Sequence, residues 1–121
     1  MANALSKTKN LVDDNFFVVN ADDVFESYLL KDMIKEFKKN KIDIVLSCQP
    51  VKETWKFGII DCDKNMNVKN FIEKPEKGKE PSNLAVVGVY IMTKKIFDYY
   101  KEVSLSDQQY EEAIQRFISK K

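Results

Sequence analysis

"NFIEKPEKGKEPSNLAVVGVYIMT", residues 70–93, sets Glu73 and Lys74 side by side at the end of an apolar run and stops that run with Pro75. A charged loop follows. The chain then resumes as "LAVVGVYIMT", residues 84–93, apolar and β-rich and broken only by Gly88. Such a run reads as a buried strand. In an extended strand Glu73 and Lys74 point to opposite faces. The turn at Pro75 can bring both toward one cleft. A carboxylate accepts hydrogen bonds from sugar hydroxyls, and an ammonium is a compact partner for phosphate. The same pair also suits a solvated strand end, and the residues alone leave both readings open.

Outward from this stretch, "KFGIIDCD" and "VKNFIEK" read as two strands joined by the turn-like "KNMN", and "IDIVLSCQPV" (42–51) as another. "NFFVVNADD" (15–23) is a short buried strand ended by two aspartates. In "YLLKDMIKEFKKNK", Leu30, Met33, Ile34 and Phe37 recur at helical spacing, with lysines at the favourable end of the helix dipole. Ala4, Leu5, Leu11 and Val12 give residues 3–12 a helical face, and "KKIFDYYKEV" reads as a short helix. A last helix is expected over "DQQYEEAIQRFISKK", with Asp107 as its N-cap. The order is α-β-α-β-β-β-β-α-α in one domain, residues 1–121. Its opening β-α-β unit predicts a parallel sheet, with the middle strands as hairpins in or beside it.

Composition narrows the function classes. Hydrophobic residues are 44% and charged residues 32%, an ordinary globular balance. Twenty basic and 19 acidic residues leave a net charge of +1, so bulk electrostatics point to neither nucleic acid nor membrane. The chain has no histidine, which removes Ser-His and Cys-His nucleophilic catalysis, and Cys48 and Cys62 lack metal-ligand spacing. Free thiols, no export signal and no bilayer-length apolar run lead us to expect a cytoplasmic protein. The three glycines, at 58, 78 and 88, form no phosphate-cradling loop.

Further candidates come from position. Asp22 and Asp23 stand where a strand meets a loop, the place where open α/β sheets bind ligands, and a carboxylate there can hold Mg²⁺. It can equally cap a turn or the next helix. Gly58 and Gly88 interrupt strands, which marks either a bulge or close approach of a ligand to the backbone. Trp55 and Phe57 suit a core or the face of a sugar ring.

In this order the segments resemble the sugar-nucleotide pyrophosphorylases, the nucleotidyltransferase family that joins a nucleoside triphosphate to a sugar 1-phosphate. The UTP–glucose-1-phosphate uridylyltransferase branch is nearest. "FIEKP…PSNLAVVGVYIMTKKIFDYY" is similar to that family's EKP segment and the strand after it. "FFVVNADD" resembles its metal-aspartate strand, "KFGIID" its "YG-(I/V)-(I/V)-D" strand, and "ANALSKTKNLVDDNF" the helix before the aspartate strand. "SLSDQQYEEAIQRFISKK" looks like a drifted "E-x-Q-L-T-D-A-I" helix. The resemblance spans almost the whole chain.

The resemblance implies an α/β fold: a partial Rossmann-like nucleotidyltransferase sheet, mixed and mostly parallel, with flanking helices. It implies that Gly58, Glu73, Lys74, Val86 and Gly88 line a sugar-phosphate pocket. Asp22 would be a ligand of Mg²⁺, with UTP as the second substrate. Departures accompany it. The family's "G-x-G-T-R" loop, the lysine of its "P-K" motif and its second metal aspartate have no counterpart in these residues. Asn20-Ala21 replaces Leu-Gly or Asn-Gly, and Phe57 replaces a tyrosine. The expectation is therefore an acceptor half-site, inactive alone. It would be completed by a separate amino-terminal half or would self-associate through an open sheet edge. The alternative expectation is a non-catalytic binding or assembly module that keeps the fold.

Overall fold

A computed structural model describes residues 2–100 and 114–115. Five strands form one sheet: β1 (Asn15–Val19), β2 (Ile44–Pro50), β3 (Gly58–Cys62), β4 (Val68–Glu73) and β5 (Leu84–Thr93). Helix α1 (Ala2–Lys7) precedes β1, α2 (Ser27–Asn40) links β1 to β2, and α3 (Ile96–Tyr100) follows β5. The helix expected over 3–12 breaks at Thr8, whose hydroxyl donates to the Leu5 carbonyl, and continues as a 3-10 turn over Lys9–Leu11. The helix expected after Asp107 lies outside the described residues except for Ile114 and Gln115, which are helical. No helix among the described residues is long and apolar enough to cross a membrane.

The mostly parallel sheet expected from the opening β-α-β unit is corrected by the strand pairing. Every strand pair among the described residues is antiparallel. β1 and β2 do run the same way, as their helical crossover requires. They are not neighbours, because β5 lies between them and runs against both. The physical reason is burial. β5 is covered along nearly its whole length, with Ala85, Val89, Tyr90, Ile91 and Met92 buried, so it takes the centre. The shorter strands take the flanks.

Both faces of β5 carry a core. On one face Val89 and Ile91 pack with Met33 and Phe37 of α2, the residues whose spacing predicts that helix. On the other, Tyr90 and Met92 pack with Leu5, Ile96, Phe97 and Ile114, and the ring of Phe16 stacks on Phe97 at 5.5 Å. The β3–β4 hairpin turns where "KNMN" predicts it. The Asp63 carboxylate accepts from the backbone N–H groups of Asn65 and Asn67, at 2.8 and 2.9 Å, which fixes the turn.

Candidate active site

β1, β2 and β3 share the two edges of β5 unequally. β2 occupies one edge over almost its full length. The other edge is divided: β1 covers Val89 to Thr93, and β3 covers Leu84 and Ala85. Val86, Val87 and Gly88 lie in the interval between the end of β1 and the start of β3. The sequence-predicted site residues gather around that interval.

Gly58 stands one residue before the Ile59↔Ala85 pair, and so level with Val86. On its far side Gly58 pairs with Glu73. Val86, Gly58 and Glu73 thus form one row across three strands. A Cβ on Gly58 would lie 2.7 Å from Phe71 Cζ and 2.8 Å from Glu73 Oε2. The groups that approach Gly58 are the chain's own ring and carboxylate, which is neither of the two readings given for it.

Gly88 lies opposite a bulge, and side chains of this chain approach its backbone. Leu46 pairs with Tyr90 and Cys48 with Val86, so Ser47 alone faces Val87, Gly88 and Val89. The Ser47 hydroxyl donates to the Val89 carbonyl at 2.8 Å and anchors this irregular stretch. A Cβ on Gly88 would overlap the side chains of Asn20 and Asp23. These belong to the turn after β1, in which the Asp23 N–H donates to the Asn20 carbonyl at 3.3 Å. Asp22 sits in this turn and is exposed. Asp23 is half-buried, and its Oδ2 has no hydrogen-bond partner. Sequence reasoning gave Asn20 no role, and the resemblance assigned the metal to Asp22 and nothing to Asp23. The alternation Phe16, Val18, Asn20 on one strand face is the signal that could have placed Asn20 over Gly88.

Lys74 closes the other side. Its N–H donates to the Phe57 carbonyl at 3.0 Å, one step beyond the Gly58–Glu73 pair, and its φ is +45°. This left-handed conformation is uncommon outside glycine and is one place where functional sites hold strain. It supplies the turn expected at Pro75, one residue early, while Pro75 itself is buried. Trp55 and Phe57 are 37% and 39% exposed, which removes them from the core. Lys77 Nζ lies 5.1 Å from the Trp55 ring centroid.

An open groove of about 550 Å³ lies elsewhere, lined by Phe17, Ile34, Phe37 and Ile91 beside the carboxyl end of α2. It contains none of the predicted residues and belongs to the α2 face of the sheet. No group of three or more potential metal-binding side chains exists among the described residues. Oxygen donors from Asp22 and Asp23 nevertheless suit Mg²⁺, which takes one or two carboxylates and keeps waters and substrate phosphates for its other positions.

This divided edge, with an aspartate turn on one side and the Glu73–Lys74 pair on the other, can be compared with known proteins. The family model described as Nucleotidyl transferase matches residues 1–121. The chain belongs to this family. Among its relatives, the UTP–glucose-1-phosphate uridylyltransferase of Bacillus subtilis (strain 168) is 39% identical over 97 residues, which is 74% of this chain and 33% of the relative. That of Staphylococcus haemolyticus (strain JCSC1435) is 36% identical over 118 residues, 88% of this chain and 41% of the relative. A solved apo UDP-glucose pyrophosphorylase superposes with a TM-score of 0.91 at 27% identity, covering 100% of this chain and 49% of that one. A UDP-glucose pyrophosphorylase complexed with UDP-glucose gives 0.88 at 25% identity, covering 100% and 51%. This nucleotidyl transferase domain therefore spans about half the length of the solved structures it matches, and less of the curated relatives.

Proposed function

We propose that this domain is the acceptor half of a nucleotidyl transferase cleft that binds a sugar 1-phosphate, glucose 1-phosphate being the first candidate. Gly58, Glu73, Lys74, Val86 and Gly88 bind it: Glu73 accepts from sugar hydroxyls, Lys74 neutralises the phosphate, and Gly58, Val86 and Gly88 line the pocket. Asp22 is the metal residue. Mg²⁺, when bound, supplies charge neutralisation on phosphate oxygens. The reaction of the complete site transfers a uridylyl group from UTP to the sugar phosphate and releases pyrophosphate. The domain works with the rest of the family fold, on the same polypeptide or another, and is inactive without it.

The observation that carries this reading is the convergence of these residues on the interval Val86–Gly88. Residues scattered over 67 positions of chain, from Asp22 to Gly88, lie on the turn and the strand row that flank one break in strand pairing. The test is pyrophosphate release from UTP, glucose 1-phosphate and Mg²⁺. The 121-residue chain should release none and should bind glucose 1-phosphate saturably. Turnover by the chain alone would overturn the need for the rest of the family fold.

A second reading, a non-catalytic assembly module, draws on β1. This strand pairs only with β5 among the described residues, and its "NFFVV" edge carries neither lysine nor proline. Under this reading the chain self-associates or recruits a partner strand. Size-exclusion chromatography yielding a lone monomer, with no sugar-phosphate binding, would remove both readings.

A further inference from the structure

The ladder between β3 and β4 ends at the Gly58–Glu73 pair, yet contacts continue beyond it in the same antiparallel order. Phe57 accepts the Lys74 N–H at 3.0 Å. Trp55 meets Lys77, with Nζ 5.1 Å from the ring centroid. The Thr54 hydroxyl donates to Glu80 Oε1 at 3.2 Å. The sequence runs backward through 57, 55 and 54 as it runs forward through 74, 77 and 80. One further backbone bond, and then side chains, thus extend the hairpin beyond the Gly58–Glu73 pair.

We propose that Thr54 and Glu80 form a latch that pins the Lys74–Glu80 loop to the turn Thr54–Lys56 and so holds Lys74 in its left-handed conformation, making both positioning residues for the Glu73–Lys74 pair. Thr54 is only 4% exposed, so its hydroxyl has little water to turn to and needs this acceptor. Backbone N–H groups, first that of Glu80 itself and then those of Gly78 and Lys79, help the Thr54 hydroxyl hold the Glu80 carboxyl below its ordinary range. The acceptor is therefore ionised at neutral pH. Without the latch, the Lys74 N–H bond to Phe57, the packing of Pro75 and the Lys77 contact with Trp55 are left to oppose relaxation of a strained φ. A role in presenting Lys74 to a sugar phosphate rests on the proposed function; the hold on the Lys74 backbone does not.

The test uses the full chain with Thr54→Val, which keeps the shape and removes the donor, and Glu80→Ala, which removes the acceptor. Glu80→Gln keeps an acceptor oxygen and serves as the rescue. Lys79→Ala, which deletes only the exposed Lys79–Glu76 ion pair, is the control. NMR reads the Lys74 three-bond coupling, its amide exchange and the dissociation constant for glucose 1-phosphate. Thr54→Val and Glu80→Ala should move Lys74 out of the left-handed region and speed its amide exchange. They should weaken glucose 1-phosphate binding about fivefold, the scale of one hydrogen bond. Glu80→Gln and Lys79→Ala should stay near wild type. If Glu80→Ala does not fold, Thr54→Val decides. Unchanged Lys74 coupling and exchange in the folded variants overturns the latch. Altered coupling with unchanged affinity overturns its positioning role. A wild type that binds no glucose 1-phosphate overturns the functional reading, while the Lys74 coupling still judges the latch.

Discussion

The backbone N–H of Asn20 donates to the carbonyl of Gly88 at 2.8 Å, and the Asn20 side chain lies where a Cβ of Gly88 would be. This one bond continues the β1–β5 pairing past Val19 and brings the aspartate turn onto the central strand. Any side chain at position 88 must push that turn away. Gly88→Ala should therefore destabilise the fold by about 1–3 kcal/mol, the usual cost of overpacking. Chemical denaturation reads the cost. An unchanged midpoint would mean that the turn does not sit on Gly88.

Gly58→Ala addresses the other flank. Its new methyl group would meet the Phe71 ring and the Glu73 carboxylate, both on the neighbouring strand. The Phe71 ring is buried and cannot simply swing aside. A loss of about 1–3 kcal/mol is expected, together with displacement of Glu73 and weaker sugar-phosphate binding. Binding and stability falling together in this variant would match the geometry. Retained wild-type affinity would contradict it.

Lys74→Gly separates stability from function. Glycine adopts positive φ without the Cβ penalty, so this change should raise stability by about 0.5–1 kcal/mol. It also removes the ammonium assigned to phosphate. The expected outcome is a higher denaturation midpoint with loss of glucose 1-phosphate binding, read on the same sample.

Acid should weaken the hairpin and the loop after it. The side chain and backbone N–H of Asn67 hold the Asp63 carboxyl below its ordinary value of 3.8, and backbone N–H groups hold Glu80 below 4.5. Both are lowered in the folded chain. Their stabilisation is therefore complete above these ordinary values and is lost as pH falls through the folded ones. Stability should be flat near neutral pH and decline below about pH 4.5. Asp63→Asn should flatten part of that decline.

Burial raises both thiols, Cys48 through desolvation alone and Cys62 through desolvation with added repulsion from Cys48, Asp61 and Asp63. A raised pKa leaves little thiolate at neutral pH. Both cysteines should react with a disulfide reagent more slowly in the folded chain than in denaturant. Rapid labelling of the native protein at pH 7 would contradict this.

The central strand was legible because Leu84–Thr93 is apolar on both faces and long. Its direction was not, since hydrophobic periodicity carries no sense of chain polarity. A β-α-β pattern then suggested neighbours where β5 in fact intervenes. The same limit applied to the site. Glu73, Lys74 and the two glycines could be chosen from residue type and resemblance. That Gly58 accommodates Phe71 and Glu73 depends on the β3–β4 register, which a glycine in a strand does not encode. Residue type alone could not tell the two adjacent aspartates apart, and only the resemblance assigned the metal to Asp22. The turn closed by the Asp23 N–H leaves Asp22 exposed and carries the Asp23 side chain onto Gly88. Trp55 and Phe57 read as core candidates because aromatics usually are. They lie at the rim instead, where the hairpin ladder has ended.

The most direct test of the acceptor-half account is titration of the isotope-labelled chain with glucose 1-phosphate, followed through backbone amides. Saturable shifts should concentrate at Gly58, Glu73, Lys74 and Val86–Gly88, and Glu73→Ala should abolish them while the fold persists. Absence of saturable binding, or shifts confined to the groove beside α2, would contradict the account.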